Sequence, residues 1–420
     1  MRIVGLADPD EVRLRHAAEK YGIEAERCFS DADALARGLP AGSGVAEVAI
    51  NGTMDSQHLA TSLPLLAAGY DILLEKPIAK SLDDVLELAR LADESGRMVV
   101  ICHVLRHAPF YRAIAERVLA GDIGRVVSMQ SSEHVSDHHM ATGFVRGKWR
   151  QRAENPMLLA KCCHDLDLLC WLKRGQRPVR VASMGGRLLF TADRAPEGAG
   201  QRCLVDCDIE SDCRYSARRI HIEHGLWGFY AWHGLPEYEA GGLPSEVRMI
   251  ESLATDNPYG RCVWHCDNDV VDQQTVIVQF DDGTIASHQM HTGAARPRRH
   301  IHLIGEAGEI EGVMEEGTFT IRRASPSIGA GLYTDQTDAA TWWDEVVEVG
   351  LEGDMHGGGD QRLVDDFLRL RSDGEASIST TALADSIGGH AIAFAADEAM
   401  LAGALVCIDD DWGCRFLQTG

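Results

Sequence analysis

Short apolar runs and helical segments alternate regularly over the first hundred residues. The apolar runs, which predict strands, lie at 2–7, 45–50, 71–74 and 98–102. The helical segments between and after them lie at 10–21, 31–38, 56–68 and 81–95. Strands that are apolar throughout indicate a sheet covered on both faces, and alternation with helices is typical of parallel sheets. The sequence therefore predicts a doubly wound, Rossmann-like parallel sheet over residues 1–103.

The pattern changes after residue 103. Longer strands with few helices between them are predicted near 126–135, 179–189, 275–281, 284–290, 299–304 and 318–322. Helices are predicted at 109–120, 156–172, 360–371 and 381–402. We predict an α+β domain over 104–420, with a large open, mainly antiparallel sheet and a C-terminal helix that packs back on the first domain. The uncovered face of that sheet predicts a homo-oligomer.

The amino-acid composition indicates what kind of molecule the protein binds. The 420 residues include 40 Lys and Arg and 64 Asp and Glu, which gives a formal net charge of −24. Such an acidic surface repels nucleic acid and anionic membranes, so a small molecule is the expected partner. No apolar run reaches the roughly 18 residues of a membrane helix, and no signal peptide is readable at the start. We therefore expect a cytoplasmic protein whose twelve cysteines are reduced.

Asp8 follows the first predicted strand. An acidic residue there accepts hydrogen bonds from the ribose hydroxyls of NAD and repels the 2′-phosphate of NADP. The alternative is a helix N-cap, which Asp8-Pro9-Asp10 also suits. A Gly-rich turn is expected about 20 residues before such an Asp, but only seven residues precede Asp8. We expect either a shortened chain that lacks the first strand and this turn, or a start site placed too late.

Two further motifs carry candidate proton-transfer groups. Glu75-Lys76-Pro77 follows the strand 71–74, at the edge of the sheet where ligands bind. A lysine there can hydrogen-bond a substrate hydroxyl and share in proton transfer. In the helix at 156–172, helical periodicity places Lys161 and His164 on one stripe, with Asp167 at its edge. A Lys cation opposes protonation of the His, which suits a general base. Solvated surface charges are the alternative for both motifs.

Five cysteines form two groups with C-x3-C-x5-C and C-x3-C spacing: Cys203, Cys207, Cys213, Cys262 and Cys266. Structural zinc needs four thiolate or imidazole ligands, and His265 is a further candidate. The spacing is irregular for a zinc site, so we favour reduced, packed thiols, with zinc as the alternative.

Three weaker candidates remain. Arg106 either holds a ligand oxygen or joins the domains. Arg146 and Trp149 lie in a segment that mixes aromatic and cationic residues, as sugar pockets and surface loops both do. The Gly-rich stretch His356-Gly-Gly-Gly-Asp360 lacks a preceding strand and a Lys-Ser/Thr pair, so it is not a P-loop.

In this order, the motifs resemble the Gfo/Idh/MocA family of glucose–fructose oxidoreductase and inositol dehydrogenase relatives. The resemblance rests on Ala7-Asp8-Pro9-Asp10, Thr53 with His58, Gly69-Tyr70 before Glu75-Lys76-Pro77, Arg106, Gly121–Gly124, His164–Asp167 and Gly305–Gly312. It implies an N-terminal nucleotide-binding domain and a C-terminal domain whose open sheet mediates oligomerisation. It also implies oxidation or reduction of a sugar or polyol carbon with NAD or NADP.

The resemblance also implies residue roles. Lys76 and His164 correspond to the family's catalytic lysine and histidine. The family's Asp four residues before that His is Ala160 here, and Lys161 is expected to compensate. The residues expected along the cofactor are Asp8, Thr53, Asp55, His58, Glu75, Lys76 and Arg106. Those expected around the substrate are Lys76, Arg146, Trp149, His164 and Asp167.

Two alternatives to a dehydrogenase stay open. Some members of the family are NAD-dependent glycosidases that oxidise their substrate transiently and regenerate the cofactor. A cofactor-free sugar-binding or scaffold protein is also compatible with the absent Gly-rich turn.

Overall fold

The computed structural model describes residues 2–324, 342–351 and 356–417. Its strands are β1 Leu6–Ala7, β2 Cys28–Phe29, β3 Val48–Asn51, β4 Asp71–Leu74, β5 Val99–Ile101, β6 Val126–Ser136, β7 Pro178–Gly186, β8 Gln273–Phe280, β9 Ile285–Ala294, β10 Arg298–Gly305, β11 Gly308–Val313, β12 Thr318–Ala324, β13 Trp342–Glu348, β14 Val406–Ile408 and β15 Cys414–Phe416. Its helices are α1 Glu11–Tyr21, α2 Ala32–Gly38, α3 His58–Ala67, α4 Leu82–Ser95, α5 Pro109–Leu119, α6 Asp137–His139, α7 Met157–Leu172, α8 Gly228–Ala231, α9 Pro236–Glu239, α10 Glu246–Ala254, α11 Gly359–Asp373 and α12 Leu383–Ala402. Among these helices, none has both the length and the apolar character that crossing a membrane requires.

The first domain has the predicted parallel strands, arranged in two sheets. Strands β3, β4 and β5 form a three-stranded parallel sheet, and β1 pairs in parallel with β2 alone. All four residues of β4 are buried, as expected for a strand with helices on both faces. The predicted Rossmann-like class is confirmed, and its sheet is divided between β1 and β3 in the described part of the chain.

The ends of α4 show how local sequence fixes this domain. Ser81 is the N-cap, and its hydroxyl accepts a hydrogen bond from the Asp84 amide. The helix ends at Gly96, which takes the left-handed conformation (φ 61°) that a C-cap requires. Between these ends, Val85, Leu88 and Ala92 are buried against the sheet, so the caps set which face of the helix covers it.

The second domain is built on one ten-stranded sheet. Its strand order is β13-β12-β11-β10-β6-β9-β8-β7-β14-β15. Only the central pair β6 and β9 is parallel among these neighbours, and the other pairs are antiparallel. One face packs against α7 and α12 over the main apolar core. The other face carries exposed aliphatic side chains: Val127, Met184, Ile277, Ile285 and Val346.

The C-terminal helix α12 contacts both domains. It packs along α7 and against β7, and it also contacts α4 and β5. Just before it, the amide of Ile101 donates to the Thr381 carbonyl (2.9 Å). Inside it, His390 Nε2 accepts a hydrogen bond from the Ile78 amide (2.9 Å). Backbone groups of the first domain are therefore satisfied by the last helical segment of the chain.

A buried ion pair joins the same elements. Arg106 donates two hydrogen bonds to Asp167 in α7, from Nε (2.7 Å) and Nη2 (2.6 Å). Arg106 also donates to the carbonyls of Thr380 and Asp385. Arg106 is 1% exposed and Asp167 is fully buried. Arg106, expected to contact the cofactor, and Asp167, expected to contact the substrate, are thus enclosed and bind each other.

We expect Asp167→Ala to lower the free energy of unfolding by about 3–5 kcal/mol, because it leaves the Arg106 guanidinium buried without a counter-charge. Urea unfolding followed by circular dichroism measures the effect. Glu306→Ala is the control, since Glu306 pairs with Arg125 on the surface, and we expect a change within about 0.5 kcal/mol. Equal unfolding midpoints for the two variants would contradict the role assigned to the buried pair.

Candidate active site

Lys76 extends from the carboxyl edge of the first sheet to a helix of the second domain. The turn Glu75-Lys76-Pro77 follows β4, and the Glu75 amide donates to the Asn51 carbonyl at the end of β3 (2.9 Å). The Lys76 ammonium donates to the Ala160 carbonyl in α7 (3.4 Å). Ala160 lies one helical turn before His164. The two motifs that the sequence singled out as proton-transfer candidates therefore meet between the domains.

His164 is buried beside this lysine. Its ring is 4% exposed, and Nδ1 has no hydrogen-bond partner within the described residues. Burial lowers the pKa of His164 well below its usual value, and the charge of Lys76 lowers it further. The imidazole is therefore neutral at physiological pH, which is the form that can accept a proton.

His58 connects the end of β3 to the lysine turn. Its ring is fully buried, with Nδ1 2.7 Å from the Pro77 carbonyl and Nε2 3.0 Å from the Thr53 carbonyl. Both ring nitrogens therefore contact backbone oxygens, and neither is left for a ligand. The structure thus places His58, expected along the cofactor, against the backbone. Its position makes it a brace between the exposed Thr53 loop and the turn that carries Lys76.

Asp55 and Trp149 contact each other across the domains. One carboxylate oxygen of Asp55 accepts hydrogen bonds from Trp149 Nε1 (2.9 Å) and Asn155 Nδ2 (2.8 Å). Trp149 stacks on Phe144 at 5.5 Å between ring centroids, and the Lys148 ammonium lies 4.4 Å from the Trp149 ring. The expected cofactor residue and the expected substrate residue are thus hydrogen-bonded to each other.

Asp8 retains the capacity to bind a ribose. Its Oδ1 accepts from the Asp10 amide (2.8 Å) and Arg13 Nη2 (2.9 Å), and its Oδ2 accepts from Arg13 Nε (3.2 Å). The N-cap of α1 is Asp10, so the capping alternative for Asp8 is not needed. Because a carboxylate oxygen accepts about two hydrogen bonds, Oδ2 has room for a hydroxyl, and the side chain is 34% exposed. Asp8 therefore fits the ribose of a nucleotide.

Two histidines that the sequence did not assign to the site lie next to His164. The ring centroid of His103, directly after β5, is 5.6 Å from that of His164, and the centroid of His356 is 5.9 Å away. Burial lowers the pKa of His103 well below its usual value. His103 follows β5 at the same carboxyl edge of the sheet as Lys76. The rule that parallel sheets bind their ligands at this edge, which predicted Lys76, could therefore have predicted His103 as well. His356 has no such signal, because only tertiary packing places it there.

Known proteins resemble this chain in sequence and in fold. Residues 1–103 match the Gfo/Idh/MocA family, described as "Oxidoreductase family, NAD-binding Rossmann fold". The protein YteT of Bacillus subtilis (strain 168) is 24% identical over 373 residues, covering 87% of this chain and 82% of YteT. The first domain of this chain therefore resembles the NAD-binding domain of that oxidoreductase family.

Two further relatives are informative. Inositol 2-dehydrogenase of Leifsonia xyli subsp. xyli is 26% identical over 217 residues, which is 50% of this chain and 56% of that enzyme. The solved structure of levoglucosan dehydrogenase in complex with NADH has a TM-score of 0.66 at 15% identity, covering 97% of this chain and 90% of that one. The second comparison shows a shared two-domain fold.

Lys161 does not form the expected pair with His164. Its ammonium lies 2.9 Å from Glu133 Oε1, and Glu133 Oε2 lies 2.7 Å from Arg299 Nε. These charges form a network between α7 and the large sheet. The charged group with the largest effect on the pKa of His164 is Lys76. The periodicity argument failed because α7 is buried almost all round, so it has no polar stripe facing solvent.

The same network contains the one group of three metal-type donors found in the described part of the chain. Ligand atoms of Cys162, Asp165 and His288 lie within 4.8 Å of one another, and all three residues are buried. Arg299 Nε donates to Asp165 Oδ1 (3.2 Å). Burial raises the pKa of Asp165 to about 7. Asp165 Oδ2 and His288 Nε2 have no hydrogen-bond partner in the described part of the chain.

The segments that carry Cys203, Cys207, Cys213, Cys262 and Cys266, here called the cysteine lobe, pack around the guanidinium of Arg146. An isolated β-bridge joins Arg202 to Arg261, so the adjoining Cys203 and Cys262 lie on neighbouring segments. Arg146 is buried here: Nη2 donates to Cys203 Sγ (3.5 Å), and Nε donates to the Arg261 carbonyl (2.6 Å). Arg146, expected around the substrate, is thus enclosed among these segments. The thiols of this lobe do not make a three-donor group within 4.8 Å, and zinc is not supported.

We expect protein purified without chelator to lack stoichiometric zinc. Burial raises the pKa of Cys262 to about 11 and also raises that of Cys213, whereas zinc binds the thiolate. Elemental analysis, together with titration of the thiols after unfolding, measures this. One zinc per chain that is lost from the Cys207→Ser, Cys213→Ser double variant would contradict it.

Proposed function

We propose that this protein is an NAD(P)-dependent dehydrogenase that acts on a hydroxyl group of a sugar or polyol. The observation that carries the proposal is the meeting of Lys76 and His164 at the carboxyl edge of the β3–β4–β5 sheet, one residue from each domain. Open α/β sheets bind their ligands at that edge. The similarity to inositol 2-dehydrogenase and levoglucosan dehydrogenase supports a polyol or sugar substrate.

The residues divide the proton chemistry between them. When bound, a nicotinamide cofactor supplies the hydride acceptor. Lys76 donates a hydrogen bond to the substrate oxygen and stabilises the negative charge that develops there. His164, neutral because burial and Lys76 lower its pKa, accepts the hydroxyl proton. The missing carboxylate at Ala160 is replaced in part by that residue's carbonyl, which holds the lysine ammonium.

We propose NAD as the preferred cofactor. Asp8 would accept hydrogen bonds from the adenosine ribose, and its charge disfavours a 2′-phosphate. Arg13, the nearest cation, is held by Asp8 (2.9 Å) and by Glu239 (3.6 Å). Its guanidinium therefore faces carboxylates rather than the position of a phosphate. Thr53 and Glu75, both exposed at the ends of β3 and β4, would contact the nicotinamide half.

We also propose that the protein is a homo-oligomer. The outer face of the ten-stranded sheet carries Met184, Ile277 and Ile285 in exposed positions on adjoining strands. An apolar face of this kind is covered most simply by the same face of a second copy.

Lys76→Ala and His164→Ala should each lower kcat by about 10²–10⁴-fold, the usual contribution of one proton-transfer group. The assay follows NADH formation with a panel of sugars and polyols. Lys80→Ala is the control, because Lys80 lies in the same turn but pairs with Glu154 at the surface. Wild-type kcat in either variant would contradict its assigned role. Glycoside cleavage without net NADH would identify the redox-neutral reaction instead, and absence of NAD binding would identify a scaffold.

Light scattering at micromolar concentration should give a multiple of the chain mass. Ile277→Lys should reduce that mass, because it places a charge in the buried centre of the proposed interface. Leu119→Lys is the matched control, since Leu119 is an exposed apolar residue of α5 and not of the sheet. A monomeric wild-type mass would overturn the proposal.

A further inference from the structure

The Gly-rich stretch before α11 holds a histidine and a carboxylate together. His356 Nδ1 lies 2.9 Å from Asp360 Oδ2, four residues along the chain. Gly357 and Gly358 have φ of 63° and 92°, which few other residues adopt. A Cβ on Gly359 would lie 2.5 Å from the Val104 carbonyl. The three glycines therefore let this segment pass tightly against the turn that follows β5.

This close approach brings His356 beside the proposed base. The ring centroids of His356 and His164 are 5.9 Å apart, with their planes inclined at 52°. The charge of His356 is one of the contributions that lower the pKa of His164, after burial, Lys76 and His103. The side chain of His356 is 29% exposed, whereas His164 is 4% exposed. His356 thus lies between the buried base and solvent.

A proton that His164 accepts from the substrate must leave this side chain before the next turnover. Burial disfavours the imidazolium, the neighbouring Lys76 repels it, and position 160 offers no carboxylate to stabilise it. His356 differs in its position, since the Asp360 carboxylate lies 2.9 Å from its Nδ1 and orients the ring. His356 is also the more exposed of the two side chains, which gives the proton a route outward.

We propose that His356, held by Asp360, is a relay residue that receives the substrate proton from His164 and passes it to solvent. The inference rests on the proposed function. Hydride leaves the substrate carbon for the nicotinamide ring, and the hydroxyl proton moves to His164. A water molecule then accepts that proton while giving one of its own to His356. Loss of the His356 proton to bulk water restores both neutral rings, so charge and atoms balance.

The charged groups around the two rings are consistent with this direction. Lys76, His103 and Arg299 act on His164, and each opposes its protonation. Asp360 is the carboxylate in contact with His356. Asp360 also raises the pKa of the buried Cys102 thiol, after burial itself and Glu75, so its charge reaches the carboxyl end of β5.

The first test is His356→Ala in the full chain. We expect kcat to fall about tenfold to a hundredfold, the lower part of the range for proton transfer, with KM unchanged because His356 does not hold the substrate. Added imidazole should restore kcat by supplying the missing acceptor. His302→Ala is the control, since His302 forms a similar pair with Glu309 (2.8 Å) on the large sheet. It should change neither kcat nor the response to imidazole.

The second test is Asp360→Asn, which keeps the side-chain size and removes the charge. The kcat of this variant should fall towards that of His356→Ala, because the carboxylate that orients the ring is lost. NMR of ¹³C-labelled histidine provides a readout independent of turnover. The His356 resonance should shift between the wild type and Asp360→Asn, because the charged contact with the ring is removed.

The outcomes separate this inference from the proposed function. Unchanged kcat and pH profile in His356→Ala, in an enzyme that still depends on Lys76 and His164, would overturn the relay alone. A loss of kcat that imidazole does not restore would also overturn it and would assign His356 a structural role. A His356 resonance that does not shift in Asp360→Asn would overturn it even without turnover. No NADH from the wild type would instead overturn the proposed function.

Discussion

The buried pair of Arg106 and Asp167 is the contact on which the arrangement of the two domains depends. It joins the turn after β5 to α7, and Arg106 also binds the carbonyls of Thr380 and Asp385 at the start of α12. Because an enclosed charge is tolerated only with its partner in place, these three elements are fixed relative to one another. His164 lies on the same helix as Asp167, so this constraint also sets the distance from His164 to Lys76.

Much of the fold could be predicted because local patterns determine it. Strand β4 lies at the predicted residues, Asp71–Leu74, and α4 ends at the predicted Gly96. Burial on both faces gives β4 a continuous apolar run, and the C-cap of α4 is a glycine, so both features are recognisable in the sequence. Lys76 was found by the same kind of reasoning, since the carboxyl edge of a parallel sheet is defined by where its strands end.

The remaining site could not be predicted because it depends on packing between distant segments. Periodicity paired Lys161 with His164, but Lys161 pairs with Glu133 across the core. The sequence predicted that Arg146 lies in a substrate pocket, but its guanidinium is enclosed by the cysteine lobe. The segments of this lobe lie between β7 and β8 and show no strong periodicity, so their packing could not be predicted. His356 lies nearly two hundred residues after His164 in the chain, and only the close passage of Gly359 beside Val104 brings it near.

The division of the parallel sheet has a consequence for the energetics of nucleotide binding. Neither β1, β2 nor α1 contains a fully buried residue, whereas β4 is buried throughout. Local opening costs least where few apolar contacts are lost, so amide hydrogens around Asp8 should exchange faster than those of β4. A ligand that binds only the closed form of this unit contributes its binding energy to closing it. Observed affinity for the nucleotide would then report the local stability of the first thirty residues as well as the contacts of Asp8.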